Sequence, residues 1–170
     1  MKQIALFEKV SFEQFKKDII KCFGETYDDN NIEIIYNEIK LPTRATTGSA
    51  GYDFKIPFDI IMHKGHECLI PTGIRANIEN GWVLQLFPRS GLGFKRGLTL
   101  LNTVGIIDSD YYSSNNEGHI MVMLTHKIGD YILKLQQGDS FIQGVFVPFG
   151  ITKNDNVNKI RNGGFGSTGR

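Results

Sequence analysis

From residue 32 onward, apolar and polar positions alternate in short runs. IEIIYNEIKL, FDIIM, HECLI, WVLQLF, LTLL, GHIMVMLT, YILKL and FIQGVFVP are rich in Ile, Val and Phe. Gly, Pro, Asn or charged turns separate them at roughly ten-residue spacing, which predicts an all-β sandwich or closed barrel. Upstream the period is different. Ser11 suits an N-cap, Phe12, Phe15, Ile19 and Phe23 follow at helical spacing, and Gly24 is a natural stop. This predicts one amphipathic helix with Lys16, Lys17, Asp18 and Lys21 outside, and no second helix. Its Phe/Ile stripe reads as docking on the body of the protein itself. Glu25–Asn31 reads as a polar loop. The last residues carry four glycines and one aromatic within Gly163–Gly169, too little apolar surface to hold themselves, so a mobile arm is expected.

The chain divides on this pattern into a helical extension (1–31), a β core (32–153) and a C-terminal arm (154–170). At 170 residues it is long enough for one real core. The formal net charge of +1, with no Lys/Arg run longer than two, argues against a nucleic-acid footprint. Cys22 and Cys68 show no C-x-x-C spacing, so reduced thiols are expected rather than a disulfide. The N-terminus is too charged for a signal peptide, and no apolar run is long enough to span a membrane. The expected location is cytoplasmic, or nuclear in a eukaryote. His63, His66, His119 and His126 lack metal-ligand spacing and read as surface or strand positions. Trp82 reads as core, and Lys95 and Arg96 as a solvated turn.

Five blocks carry binding-type chemistry. In GSAGYDF a turn delivers Asp53. In PRSGLGFKRG, Arg89 suits phosphate, and Ser90 with the backbone N–H groups of Gly91 and Gly93 suits further oxygens. LNTVGIIDSDYY places Asp108 and Asp110 two positions apart, hence on one face if extended. In the same block Asn102 can donate and accept toward a base edge, Gly105 admits a close approach, and Tyr111 and Tyr112 offer flat surfaces. GDSFIQG sets the Gln143 amide inside a strand. GGFGSTG sets Phe165 beside the donors of Gly166, Ser167 and Thr168, as in a lid that orders on a ligand. Each block alone also has a purely structural explanation as a turn, an ion pair or a linker.

Together and in this order the blocks resemble the trimeric deoxyuridine triphosphatases (dUTPases). LPTRATTGSAGYDF, PRSGLGFKRGL, NTVGIIDSDYY, GDSFIQGVFVP and GGFGSTG are similar to that family's five motifs, over about residues 39–170. The resemblance implies a jelly-roll-like β protein acting as a homotrimer with shared sites. It implies hydrolysis of dUTP to dUMP and pyrophosphate with Mg²⁺, limiting uracil in DNA and supplying dUMP. It casts Asp108 as the residue activating the attacking water, and Tyr111 as packing under the deoxyribose. Asn102, Gly105 and Ile106 fall in the uracil pocket. Arg89, Ser90, Gly91 and Gln143 fall among the triphosphate binders, and Asp53 reaches Mg²⁺ through water. Phe165 would stack on uracil while Arg161, Gly166, Ser167 and Thr168 meet the nucleotide.

Three departures stand out. The third motif continues DYYSSNNEGHI where the family has D-Y-R-G-x-I, so Ser113–Asn116 predicts a longer polar hairpin tip beside the pocket. Arg161 sits nearer Gly163 than is usual. The N-terminal helix lies outside the common core, and its role is left open. Two rival readings accompany the main one. A dCTP deaminase of the same fold would need a glutamate where Met123 stands. A nucleotide-sensing, partner-binding protein would use the helix and the long hairpin tip.

Overall fold

The computed structural model describes residues 1–127, 132–159 and 161. Phe165, Gly166, Ser167 and Thr168 lie outside these, so the expected lid does too. The architecture is mainly β, with twelve strands and three α-helices among the described residues. The strands are β1 (Ala5–Lys9), β2 (Thr43–Arg44), β3 (Tyr52–Lys55), β4 (Ile60–Met62), β5 (Glu67–Pro71) and β6 (Ile74–Ile78). They continue as β7 (Trp82–Pro88), β8 (Leu98–Leu100), β9 (Gly105–Ile107), β10 (Met121–His126), β11 (Leu133–Leu135) and β12 (Ser140–Pro148). The helices are α1 (Phe12–Phe23), α2 (Asp29–Glu38) and α3 (Ser90–Arg96).

Every pairing is antiparallel, in a five-stranded sheet β2-β3-β12-β7-β9, a three-stranded sheet β5-β10-β8 and the pairs β1-β6 and β11-β4. These sheets do not close into a barrel, which corrects that half of the expectation. They face one another across a core of Phe54, Ile70, Leu84, Leu86, Leu124 and Phe141, each at most 1% exposed. β9 is the outer strand of the five-stranded sheet, so one side of its backbone is open to a partner.

The segment from Ile32 is helical, not a strand. Ile32, Ile35 and Ile39 recur at helical spacing and are buried, whereas Ile34, which would share a strand face with Ile32, is 54% exposed. Asp28 caps this helix by accepting from the Asn31 N–H at 2.7 Å, so Asp28 and Asp29 start α2 rather than prolong a loop. The anticipated boundary at residue 31 falls inside it.

α1 has the expected limits, with Ser11 as N-cap and Gly24 as C-cap. Asp18, however, points inward at 8% exposure. Position 18 is one turn from Phe15 and beside Ile19, so it belongs to the apolar stripe. Phe15, Ile19 and Ile32 are completely buried, and at about 1.5–3 kcal/mol each they anchor α1 and α2 by roughly 5–9 kcal/mol. Tyr36 joins the two helices, packing on Phe12 and Phe15 and donating from its hydroxyl to the Val10 carbonyl at 2.7 Å. The N-terminal elements thus share one core with the β body. β1, β2, β3, β6 and β9 complete the sheets in stretches that alternation alone left unassigned.

Candidate active site

The third block is built from three local pieces. Asn102 sits in a turn closed by a Val104 N–H to Asn102 carbonyl bond of 2.8 Å, with Thr103 at φ 68°. β9 then runs against β7, with Gly105 opposite Leu86. A Cβ at Gly105 would stand 3.0 Å from Leu86 Cβ, so the strands approach this closely only with glycine there. Asp108 ends the strand and begins a 3₁₀ turn over Ser109–Ser113. The two carboxylates therefore do not share a strand face. They meet instead through Arg161, whose Nη2 lies 2.5 Å from Asp108 Oδ2 and whose Nε lies 2.9 Å from Asp110 Oδ1. The guanidinium carbon sits 5.8 Å from the centre of the Tyr111 ring.

A cavity of about 1040 Å³ opens over this block. Asn102, Gly105, Ile106, Tyr111 and Arg161 line it together, and Asn115 and Asn116 of the lengthened hairpin tip join them. Tyr111 is 5% exposed, and burial pushes its phenol up, so it stays a neutral O–H. That hydroxyl donates to the His119 carbonyl at 2.9 Å and accepts from Asn116 Nδ2 at 2.8 Å.

The other blocks converge elsewhere. Asp53 on β3 pairs in register with Gln143 on β12, which pairs with Phe87 on β7. Arg89, one residue past that strand, ion-pairs with Asp53 at 3.1 Å. Asp53 is thus delivered by a strand rather than a turn. Arg89, Ser90 and Gly91 line a second cavity of about 860 Å³ with Arg96, Lys134 and Asp139. The glycine-rich stretch here is α3, a further helix where none beyond α1 was expected. Its first turn takes the Gly93 N–H onto the Arg89 carbonyl at 2.8 Å, which removes Gly93 from the expected oxygen cradle. Ser90 and Gly91 keep the first helical positions, whose N–H groups have no intrahelical acceptor. Arg96 and Lys95 occupy the last turn of α3. Among the described residues the two cavities share no lining residue.

Several participants escaped the reading of the sequence. Asp18 and Lys21 of α1 line the larger cavity. His126 ends β10, one of the two placements expected, while His119 lies outside the strands, and both are fully buried. Glu117 accepts from the Ser11 N–H at 2.7 Å and from Ser11 Oγ at 2.6 Å. The one available signal was a carboxylate at position 18 inside an apolar stripe. Trp82 is partly buried against the core, and both cysteines are free thiols.

The sequence model of one family, described as dUTPase, matches residues 37–170. The chain belongs to the dUTPase family. Its enzyme class is accordingly that of the dUTP diphosphatases. The deoxyuridine 5'-triphosphate nucleotidohydrolase of Lactococcus lactis is 42% identical over 134 residues, 77% of this chain and 89% of that protein. The same-named protein of Tolumonas auensis is 40% identical over 144 residues, 80% of this chain and 91% of its own length. The crystal structure of dUTPase from Streptococcus mutans superposes with a TM-score of 0.65 at 34% identity, covering 87% of this chain and 98% of that one. A phage phi11 dUTPase of Staphylococcus aureus, described with a structural Mg(II) ion, shares the fold at a TM-score of 0.64 and 17% identity, covering 92% and 98%. Among the described residues no helix is long and apolar enough to cross a membrane.

Proposed function

We propose that the chain hydrolyses dUTP to dUMP and pyrophosphate with Mg²⁺, in a homotrimer whose neighbouring copies complete each site. The observation that carries this reading is the single cavity lined by Asn102, Gly105, Ile106, Tyr111 and Arg161, with Asp108 bonded to that arginine. β9 is an edge strand, so alternate residues of the stretch holding Gly105 and Ile106 turn N–H and C=O groups away from β7, toward the amide-like edge of uracil as they would toward another strand. The Asn102 side chain adds a donor and an acceptor. Tyr111 closes the floor under the sugar and leaves no room for a 2′-hydroxyl.

The Asp108 carboxylate accepts a proton from water attacking the α-phosphorus in line with the leaving pyrophosphate. Phosphate oxygens compete with Asp108 and Asp110 for the Arg161 guanidinium, and its departure frees Asp108 for the water. Arg89, Ser90, Gly91 and Gln143 hold the triphosphate, and Phe165, Gly166, Ser167 and Thr168 close over the nucleotide. The separation of the two cavities supports assembly from neighbouring copies, one supplying the nucleoside pocket and another the phosphate block.

Among the described residues no group of three or more His, Cys, Asp or Glu could cage a metal ion. That fits Mg²⁺, which takes phosphate oxygens and waters, with Asp53 reaching it through water. When bound, the ion draws charge from the phosphate oxygens. Deamination is disfavoured because Met123, which lines the cavity, carries no proton to move. A role only in partner binding is disfavoured by the hairpin tip, which is tied to the chain's own N-terminal segment through Glu117–Ser11 and Tyr112–Glu8.

The test is pyrophosphate release from dUTP against dCTP, dTTP and UTP. Turnover confined to dUTP is the expected result, and equal turnover of all four would overturn the reading. Asp108→Asn should lower kcat by about 10²–10⁴ with KM nearly unchanged, the usual contribution of a positioned base. Near-normal kcat in that variant would remove Asp108 from the role.

A further inference from the structure

Beneath Tyr111 lies a buried polar chain that the proposed mechanism leaves unused. His119 is completely buried, and both of its ring nitrogens are engaged. Nε2 accepts from the Gly73 N–H at 2.8 Å, so the ring proton sits on Nδ1, which donates to Asp18 Oδ2 at 2.6 Å. Gln14 Nε2 donates to the same carboxylate oxygen at 2.7 Å. A ring held at both nitrogens cannot turn, and this fixes the peptide whose carbonyl receives the Tyr111 hydroxyl. Asn116 holds the phenol oxygen from the other side, and Ser114 Oγ, 2.8 Å from Asn116 Oδ1, orients that amide. Glu117 ties the end of the same hairpin to Ser11, at the start of α1.

α1 and the Ser113–Asn116 insertion are two of the three departures from the family pattern, and they meet at His119, whose ring bonds Asp18 and whose carbonyl accepts from Asn116 Nδ2 at 3.4 Å. α1 also lies outside residues 37–170, which match the family. Asp18 lines the cavity alongside Tyr111 and Asn116.

We propose that α1 supplies a positioning residue, Asp18, which acts through His119 to hold Tyr111 against the sugar, so that the N-terminal helix sets how strictly deoxyribose is chosen over ribose. This rests on the assignment of Tyr111 to the sugar floor. Asp18 does not touch the reacting atoms. It supplies the acceptor that keeps His119 in one tautomer and one orientation, and removing that acceptor lets the imidazole, its carbonyl and the phenol drift together. Asp18→Asn retains a side-chain oxygen that can accept from the same Nδ1–H.

The experiment measures kcat and KM for dUTP and UTP in the full-length chain carrying Asp18→Ala, Asp18→Asn, Glu117→Ala or Tyr111→Ala. For Asp18→Ala, a rise in KM for dUTP and a fall in the dUTP/UTP ratio of kcat/KM are expected, each about tenfold. The kcat for dUTP should stay within a few-fold. Asp18→Asn should restore most of the ratio. Glu117→Ala loosens the hairpin from a half-buried position that does not line the cavity. It should shift the ratio in the same direction by less, and it carries the test if Asp18→Ala fails to fold. Tyr111→Ala checks the underlying assignment: an unchanged ratio there would remove Tyr111 from the sugar floor. If Tyr111→Ala collapses the ratio while the Asp18 and Glu117 variants keep wild-type KM and ratio, α1 is only structural and the proposal is overturned.

Discussion

Gly118→Ala isolates how tightly the hairpin after Asp108 is closed. Gly118 has φ 70°, a conformation that costs an L-residue about 1–2 kcal/mol. An added Cβ would also stand 2.7 Å from Tyr112 Cα, 2.9 Å from the Tyr111 carbonyl oxygen and 3.0 Å from the Tyr112 carbonyl oxygen. These are backbone atoms and cannot swing aside, so the hairpin must shift by several tenths of an ångström. Forced overpacking of this kind costs about 1–3 kcal/mol more. The expected total is about 2–5 kcal/mol, or roughly 4–20 °C in Tm at this chain length. Gly65→Ala is the control, because Gly65 has φ 82° with nothing within 4 Å of the added Cβ. It should lose only the first part, about 1–2 kcal/mol. Urea denaturation at 25 °C of both variants, with KM for dUTP, is the assay. The clash acts on the peptide of Tyr111, so KM should rise in Gly118→Ala alone. Equal stability losses in the two variants, or an unchanged KM in Gly118→Ala, would refute the reasoning.

Two further outcomes concern titration. Burial works to raise the Asp18 pKa, but hydrogen bonds from His119 and Gln14 outweigh it and hold the carboxyl below its ordinary 3.8. Because the folded value is depressed, the stabilisation is complete above about pH 4 and is lost as pH falls through the folded value. Asp18→Asn should therefore flatten the acid limb of stability against pH, and an unaltered limb in urea melts would contradict this. Burial, reinforced by the charges of Asp18 and Cys68, pushes the Cys22 thiol from 9.0 up to about 11. In a Cys68→Ser background, iodoacetamide at pH 8 should label Cys22 far more slowly in the folded chain than after unfolding, and matching rates would show that the thiol is not so shielded.

What the sequence by itself determined was local or came from matching motifs. α1 was legible because Ser11, Gly24 and the Phe/Ile stripe are short-range signals. Long alternating runs such as WVLQLF and FIQGVFVP became β7 and β12 because their pattern fits a half-buried strand and nothing else. The motifs supplied candidate residues for a site, and Asn102, Gly105, Ile106 and Tyr111 line one cavity with Arg161. IEIIYNEIKL was misassigned because dense apolar residues satisfy both periods, and a cap three residues upstream of Asn31 together with burial on the core decided for helix. Only the tertiary structure could place Asp18 against His119, 101 positions away, or Glu117 against Ser11, 106 away. It also brought Asp108 and Asp110 together through Arg161 rather than through a shared strand face. Such contacts depend on how the elements pack, and the preference of a short stretch of chain carries no record of what will fold against it.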